Sequence, residues 1–218
     1  TDWELVAAAD ASYDRGDQWL YAAVVVTRAP TFEVVARAGL RVPLAFPYVP
    51  GLLSFREAPG LVAAFEKLDV RPDVVLCDGQ GTAHPRRFGL ACHLGLWLDL
   101  PTIGCAKSIL CGEFGPPGPN RGDWSPLIDE GETVGAALRT RPRVQPVFVS
   151  PGHKCDLASA VAVVLAATTK YRLPDPARLA HEFSNDLPET PEDGLANMTG
   201  PKERLGAHRD QCFMCFSP

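Results

Sequence analysis

Apolar positions along this chain cluster first at strand spacing and later at helical spacing. Glu4 to Asp10, ELVAAAD, is a short apolar run ending on an acid, and Asp14-Arg-Gly-Asp17 makes a turn before Gln18 to Arg28, QWLYAAVVVTR. The pattern predicts two strands joined by a hairpin. Thr31 to Ala38, TFEVVARA, is rich in β-branched residues and is entered through the turn at Ala29-Pro30, so a third strand completes a meander.

Helical spacing begins after a rigid exposed loop, Pro47-Tyr-Val-Pro-Gly51, whose prolines and glycine exclude helix and central strand. Ser54 reads as the cap of a helix running to about Leu68, with Glu57 as capping-box partner and Leu61, Phe65 and Leu68 along one face. Asp73 to Asp78 then reads as a buried strand, Phe88 to Leu98 as a helix and Pro101 to Ala106 as another buried strand. That β, α, β order predicts parallel pairing. A surface loop at Cys111 to Gly122 follows, then strands at Thr133 to Arg139 and Val144 to Val149. Leu157, Val161, Val164, Leu165 and Thr168 place a helix between Asp156 and Tyr171. From Leu187 onward breakers accumulate and apolar content falls, which predicts a flexible acidic tail at 187–218 behind a folded body at 1–186.

Composition narrows the class of protein. The 218 residues are 22% charged and 46% hydrophobic, and no apolar run approaches the roughly 20 residues of a membrane span. The start carries neither a basic nor an apolar leader segment, and the seven cysteines sit mostly in apolar surroundings. A reducing, cytoplasmic compartment is the expectation, and a monomer, since no broad apolar stripe is left over. Cys212 and Cys215 form a lone CxxC, read as part of a bland tail. The net charge is −5, but Glu182–Pro218 alone contributes −4, leaving a body with 19 acids and 18 bases. Any basic surface is therefore local. The acid-free stretch Leu138 to Lys154, with Arg139, Arg141, Arg143 and Lys154, is a candidate track for a phosphate backbone.

Three acids fall at the ends of expected elements: Asp10 closing the first strand, Glu57 in the first turn of the first helix, and Asp78 closing the fourth strand. Side chains at strand ends of an α/β sheet converge on one crevice. Carboxylates crowded there repel one another unless a hard divalent cation joins them, so Mg²⁺ is the expected ion, with Mn²⁺ able to substitute. Such ions activate water and neutralise charge in phosphoryl chemistry. Lys107, in GCAKS, sits at a similar strand end and offers a point charge to a phosphate. His84, Arg86 and Arg87 are donors suited to phosphate oxygens, and Gly79 and Gly81 let a backbone approach a flat ligand. His153, in SPGHK, lies where it either orients a metal ligand or caps a helix. Taken singly, each of these residues except His153 is more often a cap, a turn residue or a solvated charge, and for His153 the two readings weigh evenly.

Taken together, the stretches resemble the endonuclease V family of inosine-directed endonucleases. The matching segments are DASY at Asp10 to Tyr13, PYVPGLLSFREAP at Pro47 to Pro59, DGQGTAHPRRFGLACHLG at Asp78 to Gly95, PTIGCAKS at Pro101 to Ser108, SPGHKCDLASA at Ser150 to Ala160, and YRLPDPARLAH at Tyr171 to His181. The resemblance implies an α/β RNase H-like fold, a central mixed sheet flanked by helices. It also implies a metal-dependent nuclease that nicks DNA at the second phosphodiester bond 3′ to deoxyinosine, leaving 3′-hydroxyl and 5′-phosphate ends.

By matched position, Asp10, Glu57 and Asp78 take the metal-binding and catalytic roles. Lys107 takes the place beside the scissile phosphate, and His153 that of the histidine beside the metal. Tyr48, with Pro50 in the same PYVP motif, matches the wedge that enters the duplex where a base is turned out. Gly51, Leu53, Gly79 and Leu90 would surround the flipped hypoxanthine, while His84, Arg86 and Arg87 would face the nucleic-acid backbone. The chain departs from the family pattern at Ala8, where glycine is common, in having only TDWE ahead of the first strand where a helical segment is usual, and in its acidic tail. An inosine-specific endoribonuclease and a catalytically silent nucleic-acid-binding module are the alternatives.

Overall fold

The computed structural model describes residues 3–187. The expected acidic tail and the Cys212–Cys215 pair lie outside the described residues. Within them, nine strands form one mixed sheet: β1 (Leu5–Tyr13), β2 (Trp19–Arg28), β3 (Glu33–Pro43), β4 (Val74–Cys77), β5 (Thr102–Ala106), β6 (Glu113–Phe114), β7 (Trp124–Asp129), β8 (Glu132–Leu138) and β9 (Val147–His153). Their order is β3-β2-β1-β4-β5-β9-β8-β7-β6. β1, β4 and β5 run parallel, as the β, α, β order predicts, and the remaining pairs are antiparallel.

Helices α1 (Leu53–Phe65) and α2 (Leu90–Leu98) cover one face, and α3 (Leu157–Ala166) and α4 (Asp175–Asp186) the other. The period-2 alternation of β1 divides the core accordingly. Ala7 and Ala9 pack beneath α1 and α2 with Leu61, Phe65 and Leu94, while Val6 and Ala8 pack on the other face with Val161, Val164 and Ala180. Both faces of the sheet are thus buried, which explains the nearly unbroken apolar runs of β1, β2 and β4. No described helix is long and apolar enough to cross a membrane.

Several elements differ from the sequence-based expectation. β1 does not close at Asp10 but continues to Tyr13, because β2 pairs with it along its whole length. Ser54 does not cap α1: Leu52 occupies the N-cap without a side-chain bond, so Glu57 falls in the second turn, and no capping box forms. Glu57 instead shares a stripe with Leu61 and Ala64 and is carried into the buried side of the helix. The expected loop after Lys107 contains β6, and β7 follows it despite Pro126. α3 ends at Ala166, five residues early, and α4 begins after Pro174 with Pro176 in its first turn. There the missing proline N–H costs nothing.

Candidate active site

The parallel strands set the site. β1, β4 and β5 lie in register so that Ala9 pairs with Cys77 and Cys77 with Gly104, which puts Asp10, where β1 leaves its pairing with β4, beside Asp78 and Lys107, which follow the carboxyl ends of β4 and β5. The Asp78 amide donates to the Ala9 carbonyl at 3.2 Å, locking the two acids side by side. These groups open into a cavity of about 380 Å³. Its wall includes Asp10, Glu57, Asp78 and Lys107; its apolar part includes Leu53, Leu90, Ile109 and Leu110, and Tyr48 stands at its edge, 65% exposed.

The electrostatics are those of an acidic cluster only partly countered by Lys107. Burial raises the Asp10 carboxyl to about 6; the Ser184 hydroxyl pulls it down in part, and the nearby Asp78 charge pushes it up. Burial likewise raises Glu57 to about 7, with Asp10 and Asp78 adding repulsion and the Tyr13 hydroxyl opposing it. Lys107 Nζ lies 2.5 Å from Asp78 Oδ2 and is the cation nearest that carboxylate.

A histidine joins this group, but it is His181 and not His153. His181 Nδ1 lies 3.1 Å from Asp10 Oδ2, and Ser184 Oγ, one turn further along α4, donates to the same oxygen at 2.8 Å. Among the described residues, Asp10, Asp78 and His181 are the one group of three acidic, histidine or cysteine side chains whose donor atoms all fall within 4.8 Å of one another. His153 does not reach the acids. β9 runs antiparallel to β5, with Phe148 opposite Ala106 and His153 opposite Thr102, so the strand carries His153 toward the far end of β5. That displacement is about 13 Å at strand rise. There His153 Nε2 faces Asp99 Oδ1 at 3.7 Å, beside the Lys154 to Asp99 bond at 2.6 Å.

The remaining expected residues divide similarly. Gly51, Leu53, Gly79, His84 and Leu90 line the cavity; Pro50 is exposed in the loop beside Tyr48 and lies off the cavity wall. His84 is buried, and burial holds its imidazole below the usual histidine value, with the Gly51 carbonyl partly opposing this. Arg86 Nη1 donates to the Gly51 carbonyl at 3.0 Å, tying the 47–51 loop to the segment after β4. Arg87 turns away from the cavity toward acids on the β7–β8 turn: its guanidinium meets Asp129 at 2.6 Å, Glu132 at 3.0 Å and Glu130 at 3.8 Å. Gly81 answers to packing, since a Cβ there would lie 2.0 Å from the Pro151 carbonyl oxygen. The basic stretch after Leu138 is partly consumed within the fold, Arg139 donating to the Gly118 and Pro117 carbonyls at 3.1 Å each and Lys154 pairing with Asp99.

Sequence reasoning gave no role to His181, Ser184, Ile109 or Leu110. The signal for the first two was the i, i+3 pair of polar residues flanked by prolines at the helix start, in DPARLAHEFS.

Comparison with known proteins identifies the family. The sequence model of the Endonuclease V family matches residues 1–182. The chain is 54% identical over 184 residues to an endonuclease V of Myxococcus xanthus, covering 84% of this chain and 78% of that protein. Its fold matches the crystal structure of the Streptomyces avermitilis endonuclease V with a TM-score of 0.81 at 48% identity, covering 83% and 79% of the two chains. It also matches the Ciona intestinalis endonuclease V, solved with a 24mer DNA containing an inosine followed by a ribo-adenosine, with a TM-score of 0.74 at 29% identity and coverage of 84% and 85%. The helix-flanked mixed sheet is the RNase H-like fold of those structures, and the chain belongs to the endonuclease V family.

Proposed function

We propose that this protein is a divalent-metal-dependent endonuclease that repairs deaminated adenine by cutting DNA at the second phosphodiester bond 3′ to deoxyinosine, leaving 3′-hydroxyl and 5′-phosphate ends. The observation that carries this reading is the meeting of Asp10, Glu57, Asp78 and Lys107 on the wall of one cavity edged by Tyr48. The relative from Ciona intestinalis holds inosine-containing DNA, which supports the same substrate class here.

The residues present fit a magnesium ion. Asp10 and Asp78 offer hard oxygen donors and His181 an imidazole, all close enough to share one ion, and the Asp78 charge beside Asp10 is one that a cation would offset. When bound, the ion supplies charge neutralisation at the scissile phosphate and an acidified water. Ser184 holds Asp10 through one oxygen. Glu57 adds a third carboxylate from α1. The Lys107 ammonium, 2.5 Å from Asp78, would meet a phosphate oxygen and stabilise its growing charge. Tyr48 is suited to fill the gap left by a base turned out of the duplex, and the wall of Gly51, Leu53, Gly79 and Leu90 to receive that base.

A second reading, cleavage of inosine-containing RNA, is favoured by one observation: the strand bound to the Ciona relative carries a ribose immediately after the inosine. Matched DNA and RNA strands bearing one inosine, incubated with the protein and Mg²⁺, separate the two. Faster cutting of DNA, with a nick that a DNA ligase reseals, supports the repair reading. Faster cutting of RNA replaces it, and cutting of both strands without regard to inosine removes it.

A further inference from the structure

The following rests on reading Asp10, Glu57 and Asp78 as one ion-binding wall. Tyr13 has the same parity along β1 as Ala7 and Ala9, and so emerges on the α1 side of the sheet, opposite to Asp10 with its α4 partners. Its hydroxyl donates to Glu57 Oε1 at 2.5 Å. The neighbouring Arg56, its side chain only 3% exposed, lies with its guanidinium 4.6 Å from the centre of the Tyr13 ring. That guanidinium also donates to the Phe46 carbonyl at 3.1 Å and pairs with Asp17 in the β1–β2 turn. Glu57 therefore meets a neutral hydroxyl, while the cation beside it in sequence is held against the ring by other partners.

The consequence for an ion is direct. A carboxylate gripped by a guanidinium gives up both oxygens to a fork of donors. One O–H donor occupies a single acceptor site on one oxygen and leaves the rest of the carboxylate available. We infer that Tyr13 is the positioning residue of this centre, holding Glu57 toward Asp10 and Asp78 and preventing its capture by Arg56. Partners of this kind, one bond removed from the ion, typically alter metal affinity by about 10- to 100-fold.

Tyr13→Phe keeps the ring and its stacking on Arg56 and deletes the hydroxyl, with its bond to Glu57 and its polar contact with Arg56. Mn²⁺ titrated into wild type, Tyr13→Phe, Glu57→Gln and Asp10→Asn gives the ion dependence of the thermal-unfolding midpoint, and Mg²⁺ gives that of nicking. Tyr13→Phe is expected to need roughly tenfold or more additional ion in both titrations, to recover near-wild-type turnover at saturating ion, and to keep its midpoint in EDTA. Adding Arg56→Met to Tyr13→Phe removes the competing cation and is expected to restore ion affinity in part. A Tyr13→Phe protein that titrates like wild type, while Glu57→Gln and Asp10→Asn do not, overturns the inference and leaves the metal centre standing. Wild-type behaviour of Glu57→Gln, or the absence of any ion effect on wild type, overturns both.

Discussion

Lys107 Nζ stands 2.5 Å from Asp78 Oδ2, the two residues closing the neighbouring parallel strands β5 and β4. The lysine thus gives the acidic cluster part of the charge that an ion would give it, and the two cations repel. Lys107→Met is accordingly expected to leave divalent-ion affinity unchanged or tighter while lowering the nicking rate by about 100-fold, the usual loss when one charge-stabilising donor is removed. Ion titration beside single-turnover kinetics checks both halves; weaker ion binding in the variant would count against the geometry.

The two histidines separate by position, His181 beside Asp10 and His153 beside Asp99. His181→Ala is expected to weaken divalent-ion binding by at least about tenfold, since it removes a group that bonds Asp10 and offers a donor atom to the ion. His153→Ala is expected to leave ion binding and nicking near wild type, because its partner is Asp99 at the other end of β5. Calorimetry with Mn²⁺ on both variants tests this contrast, and equal losses would mean that His153 reaches the acids in solution.

Burial of Asp10 makes stability depend on pH in the metal-free protein. The folded state holds this carboxyl at about 6, above its ordinary 3.8, so it keeps a proton that the unfolded chain has released. The stabilisation is complete below the ordinary value and is lost as pH rises through about 6. Relative to Asp10→Asn, wild type in EDTA should lose on the order of 3 kcal/mol between about pH 4 and pH 7. Urea unfolding of the two proteins across that range measures the difference. Saturating Mg²⁺ should remove it, because an ion favours the charged form.

Arg87 is surrounded by Asp129, Glu130 and Glu132 and has no charge to spare for a phosphate. Arg87→Gln is expected to lower the thermal midpoint, more so at low salt, without changing the slope of log binding constant against log salt for an inosine duplex. A slope reduced by about one would instead assign it a phosphate contact.

The residues explain which parts of this molecule were readable in advance. Asp10, Asp78 and Lys107 follow apolar runs that behave as parallel strands, and a parallel sheet brings strand ends together whatever the connections between them. Glu57 was legible as a helix residue but for the wrong reason: the loop through Leu52 starts α1 without a side-chain cap and turns the glutamate inward. His153 was misplaced because a strand's apolar pattern does not reveal its direction, and antiparallel β9 points its end away from the acids. α4 escaped notice because two prolines at its start read as breakers and few of its residues are apolar, although Ala180 and Ser184 are fully buried. β7 escaped because Pro126 argues against a strand, and there the sheet tolerates it near its β6 edge.

The most direct test of the central reading is a 5′-labelled duplex with one deoxyinosine, incubated with wild type or Asp78→Asn in Mg²⁺ or in EDTA, with products mapped to the nucleotide. Wild type in Mg²⁺ should give one nick at the second bond 3′ to the deoxyinosine, and EDTA or Asp78→Asn should give none while the variant keeps the wild-type fold. A nick that persists in EDTA or in Asp78→Asn, or an intact duplex with wild type and Mg²⁺, would contradict it.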